Sequence, residues 1–193
     1  MFVTHTAGLC IPLFIIPLKS ACCASGQAGL QGVLLESEIM LMSHLKNGMI
    51  ELREFRPEDV DRVSEIVQVT LGEFYPRSLY LEKSRQWLEG FMVAVNDGQI
   101  IAMIMGVLEG RTDSRVLMLA VTAPYTHRGV GTMLMSDFLK KSIMRGVGKI
   151  TLEVRKSNIG ALRFYSRLGF QISGVLPMYY SDMEDGFRMV KVL

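Results

Sequence analysis

The sequence Thr126-His127-Arg128-Gly129-Val130-Gly131 lies between an apolar run that ends at Val121 and a segment with helical character that begins near Val130. Glycines at such a junction let the backbone turn tightly and direct its N–H groups at an anion, and the dipole of the following helix adds to the attraction. Arg128 supplies a charged donor. The pattern indicates a loop for a phosphate-bearing cofactor, and the alternative is a plain turn between a strand and a helix.

Two other phosphate-binding loops do not fit these residues. A dinucleotide-binding fingerprint requires a third glycine three positions after Gly131, where this chain has Leu134. A P-loop requires Gly-Lys followed by serine or threonine, whereas Gly131 is followed by Thr132 and Met133. The residues that follow Gly131 therefore exclude both of these nucleotide-binding motifs.

Apolar periodicity on both sides of this loop predicts alternating strands and helices between residues 49 and 193. The predicted strands are Met49–Phe55, Phe91–Val95, Gln99–Val107, Ser114–Thr122, Lys149–Val154, Phe170–Leu176 and Phe187–Leu193. The predicted helices run from Pro57 to Gly72, from a cap at Ser78 to Gly90, from Val130 to Arg145, and from Ser157 or Asn158 to Leu168. This order predicts an α/β (α+β) domain with about seven strands in a mixed, mostly antiparallel sheet and about four helices.

Two glycines predict local features of the backbone. Asp97-Gly98 separates two apolar runs and predicts a tight hairpin turn. Gly106 lies inside the third predicted strand, where a residue without a side chain indicates a bulge or the close approach of another element.

The charge balance and the histidine count exclude several classes of protein. With 21 basic and 19 acidic residues the chain has a formal net charge of +2 and no concentrated basic run, so we expect no nucleic-acid partner and no membrane anchor. The chain has three histidines, His5, His44 and His127, and these are too dispersed to form a site that needs several histidine ligands. We therefore expect no metal.

Residues 1–48 differ in composition from the rest. They hold all three cysteines, Cys10, Cys22 and Cys23, and an apolar run, Leu9 to Leu18, too short to span a membrane and preceded by no basic residue. We interpret residues 1–48 as a poorly structured extension or an over-long start, with an added packing element or a targeting segment as alternatives. Residues 49–193 form the predicted domain, which lacks cysteine and suits the cytoplasm.

The glycine-rich loop resembles the cofactor loop of the GCN5-related N-acetyltransferase (GNAT) superfamily, Arg/Gln-x-x-Gly-x-Gly/Ala. Gly129 and Gly131 match its two small positions, while Thr126 stands where arginine or glutamine is usual. The resemblance implies a GNAT fold, splayed between strands 4 and 5, that binds acetyl-CoA without a metal. The cofactor-binding residues that it implies are Leu119, Ala120, Val121, His127, Arg128, Gly129, Val130, Gly131, Thr132, Asn158 and Tyr165.

A second motif narrows the resemblance to one group within the GNAT superfamily. Leu152-Glu153-Val154-Arg155-Lys156-Ser157-Asn158, continued by Ala161, Tyr165 and Leu168-Gly169-Phe170, resembles protein N-terminal (N-alpha) acetyltransferases, including the archaeal type and the ribosomal-protein alanine N-acetyltransferases. The resemblance implies that Asn158 reaches the cofactor and that Tyr165 meets its sulfur. Glu153 is the candidate base and Tyr165 the candidate acid. Alternatively, Asn158 is only a helix cap, Tyr165 is only a packing residue and Glu153 is only an exposed strand carboxylate.

A third feature concerns the substrate. Tyr179-Tyr180-Ser181-Asp182 resembles the tyrosine loop with which enzymes that acetylate protein α-amines grip a peptide, and Glu73-Phe74-Tyr75-Pro76 matches the partner loop of that group. The implied substrate-binding residues are Phe74, Tyr75, Tyr179 and Tyr180. The acidic stretch Asp182-Met183-Glu184-Asp185 is interpreted as a solvated turn, with attraction of a cationic substrate as the alternative.

The sequence thus predicts an enzyme that transfers acetyl from acetyl-CoA directly to the N-terminal α-amine of proteins within a ternary complex. A cysteine-borne acetyl intermediate is excluded in a domain without cysteine. The alternatives are an acetyltransferase for small, polyamine-like amines and a non-enzymatic acyl-CoA-binding module. We expect a monomer or weak homodimer, and an auxiliary subunit is left open.

Overall fold

The computed structural model describes residues 49–193, which form one seven-stranded sheet in the order β1-β2-β3-β4-β5-β7-β6. The strands are β1 (Glu51–Glu54), β2 (Phe91–Asn96), β3 (Gln99–Glu109), β4 (Asp113–Val121), β5 (Lys149–Arg155), β6 (Gln171–Leu176) and β7 (Gly186–Val192). The α-helices are α1 (Val60–Leu71), α2 (Arg77–Gln86), α3 (Val130–Met144) and α4 (Ile159–Arg167). The predicted α/β class is confirmed. The prediction for residues 1–48 lies outside the described residues.

The sheet is mixed and mostly antiparallel, as predicted. Its parallel joint, between β4 and β5, consists of the pairs Asp113↔Lys149, Ser114↔Ile150 and Arg115↔Thr151. The other neighbouring strands pair antiparallel. Beyond Arg115 and Thr151 the two strands separate, although both continue, and this separation leaves a slot between residues 116–121 and residues 152–155. The implied splay between strands 4 and 5 is therefore confirmed.

Helices cover the two faces of the sheet unevenly. On one face α1 buries Val63 and Val67 against strand residues such as Met103 and Met118, and α2 packs beside it. On the other face α3 and α4 bury residues that include Leu134, Phe138, Leu152, Val154 and Tyr165. Because side chains alternate along a strand, Glu153 points away from the core formed by Leu152 and Val154. No helix in this part of the chain is both long and apolar enough to cross a membrane.

Gly106 marks a β-bulge, as predicted. The register between β3 and β4 shifts after Met105, which pairs with Met118, whereas Gly106 pairs with Val116. A Cβ atom at Gly106 would lie 2.4 Å from the ring of Phe138, so the missing side chain lets α3 lie against the strand. The extra residue on β4 places Arg115 and Met118 on the same face of the sheet.

The start of α2 differs from the prediction. The cap expected at Ser78 is wrong, since the helix begins at Arg77 and Pro76 is its extended N-cap residue, with φ −65° and ψ 146°. The fixed φ of proline prepares a helix start without a side-chain cap. The end of α1 agrees with the prediction, because Gly72 adopts the left-handed conformation at φ 71°.

Candidate active site

The slot exposes the backbone of β4. The N–H of Thr122 donates to the C=O of Ile101 on β3 at 2.9 Å. Because hydrogen-bonding direction alternates along a strand, Leu119 and Val121 present their N–H and C=O groups to the slot, while those of Ala120 face β3. The free edge of β4 can therefore pair with an extended, amide-bearing ligand.

The loop 126–132, which follows β4, directs unpaired backbone N–H groups of the first turn of α3 outward. His127 and Gly129 have φ values of 59° and 84°, and Gly129 is the N-cap residue of α3. Its C=O accepts from the N–H of Met133 at 2.9 Å, and no side chain of the described residues caps the helix. The N–H groups of Val130, Gly131 and Thr132 are thus left for a bound anion. Arg128 is exposed beside the loop.

Tyr165 lies on α4, the helix that follows β5. Its side chain is fully buried between Phe164 and Phe170, with edge-to-face ring contacts of 5.0 and 5.7 Å. The Oη atom makes no hydrogen bond within residues 49–193. Burial, with a smaller contribution from Tyr180, raises the pKa of the Tyr165 hydroxyl above its ordinary value. Tyr165 therefore holds a proton that it can donate, and lacks a partner to receive it.

Asn158 is the N-cap residue of α4. It is one of the two residues that the sequence offered for this position. Its Oδ1 accepts from the N–H of Ala161 at 3.0 Å, and its side chain is largely buried. This bond fixes the start of α4 at the end of β5, where the slot opens. The interpretation of Asn158 as a helix cap is thus correct, and it is compatible with a cofactor contact by the same side chain.

Glu153 lies on β5 between two arginines and is 4% exposed. Its Oε2 accepts from Nε of Arg115 at 2.8 Å and lies 2.6 Å from Nη2, while Oε1 lies 3.3 Å from Nε of Arg188. The carboxylate borders a cavity of about 420 Å³ that both arginines also line. The interpretation as an exposed strand carboxylate is therefore wrong, because two guanidinium groups hold Glu153 inside the site.

The two loops implied for substrate binding lie at the open end of the slot. Residues 177–185 join β6 to β7 beside the end of β5, and chain direction places residues 72–76, between α1 and α2, at the same edge. Tyr179 is half-buried and Phe74 is exposed, whereas Tyr180 and Tyr75 are buried. Phe74 and Tyr179 are therefore accessible from solvent, whereas Tyr75 belongs to the core and Tyr180 packs against the ring of Tyr179.

Arg155, which belongs to the second motif but carried no predicted role, clamps the β6–β7 loop. Arg155 is 5% exposed, and its Nη1 lies 2.8 Å from both Asp182 Oδ2 and Glu184 Oε2. Its guanidinium carbon lies 4.0 Å from the centroid of the Tyr180 ring. The neighbouring pair Lys156–Asp185, at 2.8 Å, ties the loop a second time. The acidic stretch is therefore a partly exposed turn, as interpreted, whose carboxylates also form ion pairs with Arg155 and Lys156.

The ion pairs of Arg155 and Lys156 with the β6–β7 loop should make the stability of the fold sensitive to acid. Hydrogen bonds from Arg155 and from Lys156 hold the pKa values of Asp182 and Asp185, respectively, below their ordinary value of 3.8. Burial opposes this effect at Glu184, but bonds from Ser157 and Arg155 outweigh it and lower its pKa from 4.5. Depressed pKa values stabilise the folded state above the ordinary values, and this contribution is lost as the pH falls through the lowered ones.

We therefore expect the melting temperature to fall as the pH drops below about 4, where these carboxylates become protonated. The double variant Asp182→Asn with Glu184→Gln should melt lower at pH 7 and show a shallower decline on acidification. Calorimetry between pH 3 and 7 measures both curves. Parallel curves for variant and wild type would show that the acid sensitivity arises elsewhere.

No group of three or more metal-ligating side chains occurs within residues 49–193. The polar groups available in this region include the backbone amides of β4, the N-terminus of α3 and the buried hydroxyl of Tyr165 on α4. This set suits a long ligand with amide, thioester and phosphate parts, and acetyl-CoA has all three. The donors present therefore fit the cofactor that the sequence implies.

Comparison with known proteins agrees with this geometry. A sequence model of the acetyltransferase (GNAT) family matches residues 60–170. An uncharacterised N-acetyltransferase of Methanocaldococcus jannaschii is 34% identical over 141 residues, covering 72% of this chain and 90% of the relative. An N-alpha-acetyltransferase of Sulfurisphaera tokodaii is 31% identical over 154 residues, covering 74% and 92%.

A solved structure shows the same fold. The crystal structure of Ard1 from Thermoplasma volcanium superposes with a TM-score of 0.72 at 38% identity, covering 75% of this chain and 97% of Ard1. The family match spans more than half of the chain and includes the glycine-rich loop, Glu153 and Tyr165. The chain belongs to the acetyltransferase (GNAT) family and is an acetyl-CoA-dependent N-acetyltransferase.

Proposed function

We propose that the protein transfers an acetyl group to the N-terminal α-amine of protein substrates. The observation that carries this proposal is the open end of the slot, an entrance at the sheet edge to which chain direction brings the loops that carry Tyr179 and Phe74. Such an entrance admits the end of a peptide more readily than a lysine within a folded chain. The relative from Sulfurisphaera tokodaii, named an N-alpha-acetyltransferase, supports the same substrate class.

In this proposal the slot binds acetyl-CoA along its length. Backbone groups of Leu119 and Val121 pair with the pantetheine amides, and the first-turn N–H groups of α3 bind the pyrophosphate. His127 and Arg128 flank the phosphates, and Asn158 borders the cofactor at the start of α4. Acetyl-CoA supplies an activated acetyl thioester there.

The residues around the thioester then have separate tasks. Glu153 accepts, through a water molecule, the proton that the substrate ammonium must lose before it can attack. The N–H of Val121 donates to the carbonyl oxygen on which negative charge develops. Tyr165 donates its hydroxyl proton to the sulfur that leaves. Transfer is direct within the ternary complex.

A small cationic amine is the less favourable substrate. That alternative relied on Asp182, Glu184 and Asp185 to attract a polyamine, but these carboxylates are paired with Arg155 and Lys156. The intact donor and carboxylate at Tyr165 and Glu153 also argue against a module that only binds acyl-CoA.

Matched peptides test the proposed function. One set carries a free α-amine and no lysine, a second has a blocked N-terminus and one internal lysine, and spermidine serves as the small amine. We expect acetylation of the first set, read by mass spectrometry, at rates at least about 100-fold above the other two. Equal or faster acetylation of internal lysine or spermidine would contradict the proposal.

The cofactor loop offers a separate prediction. Gly129 adopts φ 84°, and a Cβ there would meet no atom within 4 Å, so a substitution acts through backbone strain rather than collision within the protein. Gly129→Val should weaken acetyl-CoA binding at least about tenfold, because a β-branched residue resists this conformation. Gly129→Asn is the control, since asparagine tolerates the left-handed region. Calorimetric titration measures both, and equal affinities would rule out the loop as the phosphate site.

A further inference from the structure

Arg115 joins three parts of the site through its side chain: its own strand β4, Glu153 on β5 and Tyr179 in the β6–β7 loop. It lies on β4 in the last residue pair before the slot, opposite Thr151. Its guanidinium bonds to Glu153 on β5, and its Nη2 also donates to the hydroxyl of Tyr179 at 2.7 Å. Two strands and the β6–β7 loop therefore meet at one side chain.

The environment of Arg115 makes these contacts strong. Its side chain is 16% exposed, and its nearest additional carboxylate, Glu109, lies 3.7 Å away. Bonds from a guanidinium to a carboxylate or hydroxyl are charge-assisted, and a planar fork can serve two acceptors at fixed angles. Loss of Arg115 would leave Glu153 with its longer contact to Arg188 and would remove one hydrogen bond from the Tyr179 hydroxyl, whose ring still contacts Tyr180.

We propose that Arg115 is a positioning residue for acetyl transfer, which holds the carboxylate of Glu153 and the peptide-binding Tyr179 in register across the slot. This inference rests on the proposed function of the same site. In this inference the side chain of Arg115 couples the binding of the peptide to the removal of the proton from its amine. Arg188 does not share the role, since its single contact with Glu153 is 3.3 Å and its side chain is 46% exposed.

A double-mutant cycle on kinetics tests the coupling. Arg115→Gln should raise the peptide KM about tenfold and lower kcat about tenfold, the scale of one lost charge-assisted hydrogen bond for each partner. Tyr179→Phe should raise the peptide KM about tenfold and leave kcat within about twofold, because only the hydroxyl contact is lost. The double variant should show the KM of Arg115→Gln alone. A KM increase of about 100-fold in the double variant, which is simple additivity, would overturn the proposal.

Two further variants sharpen the result. Arg115→Lys keeps the charge but cannot reach both acceptors with a planar fork, so it should resemble Arg115→Gln in KM. Lys149→Gln removes a cation that lines the same cavity but pairs with Asp113, and it should leave KM and kcat within about twofold of wild type. Equal losses in Lys149→Gln would mean that the net charge of the cavity, rather than Arg115, matters.

Hydrogen exchange gives a readout that needs no substrate. Arg115→Gln should speed amide exchange in residues 177–181 about tenfold, with α3 unchanged, because Tyr179 loses its anchor. Unchanged exchange in that loop would overturn the inference whatever the substrate proves to be. If wild type fails to acetylate any peptide α-amine, the proposed function fails, and the exchange result still decides the role of Arg115.

Discussion

Tyr165→Phe is expected to lower kcat by about 10²–10⁴-fold, the usual contribution of a general acid, without lowering the free energy of unfolding. Phenylalanine keeps the ring contacts with Phe164 and Phe170. The lost hydroxyl has no hydrogen-bond partner within the described residues, and a buried unsatisfied group costs about 1–3 kcal/mol. The variant should therefore melt at the same or a higher temperature while it turns over slowly.

Alkaline conditions add a second signature. Since burial raises the pKa of Tyr165 above its ordinary value of 10.0, the unfolded chain loses this proton first, so the free energy of unfolding falls as the pH rises above that value and is unaffected by this titration below it. Tyr165→Phe should therefore soften the alkaline decline of the melting temperature. Near-normal kcat in this variant, with chemistry shown to be rate-limiting, would identify Tyr165 as a packing residue.

Glu153→Gln is expected to lower kcat by about 10²–10⁴-fold at pH 7 and to recover partly near pH 9, where more of the substrate amine is already neutral. The same change should lower the free energy of unfolding by about 3 kcal/mol, because Arg115 loses its carboxylate partner in a largely buried position. Steady-state kinetics from pH 6 to 9, with denaturant titration, separate the two effects.

The matched control is Glu109→Gln. Glu109 lines the same cavity and lies near Arg115, but it is 44% exposed at 3.7 Å, so its removal should leave kcat within about twofold. Loss of activity in Glu153→Gln that stays constant from pH 6 to 9 would contradict a role in proton removal and leave Glu153 as a structural ion-pair partner.

Local sequence signals predicted much of the fold. Apolar periodicity and the glycines at 72, 98 and 106 act through neighbouring residues, and the structure agrees with the turn, the helix end and the bulge that they predict. The splay between β4 and β5 was implied by family resemblance rather than by periodicity. Ser78 failed as a cap because Pro76 already sets the backbone for a helix start.

The polar contacts of the site were less accessible to sequence reasoning. Arg115 is a cation within an apolar strand, which is a visible anomaly, but its partners lie on β5 and in the β6–β7 loop. The bulge at Gly106 also changes which residues of β4 share a face, so simple alternation misplaces Arg115. The role of Arg155 was overlooked for the same reason, since its acidic partners are remote in sequence.

The parallel joint between β4 and β5 has a consequence for how the chain folds. The strands β2 to β4 pair with their sequence neighbours across short turns, and β6 pairs with β7 across residues 177–185, so each of these sets can form early at low entropic cost. Pairing of β4 with β5 must instead close a loop that contains the whole of α3, and this loop closure is compensated by only three residue pairs. We expect the two sets to behave as separate cooperative units whose docking comes last, with pulse-labelled amides of Ser114 and Ile150 protected after those of β2 and β3. The gap that we propose as the acetyl-CoA site would then be the place where assembly of the chain finishes.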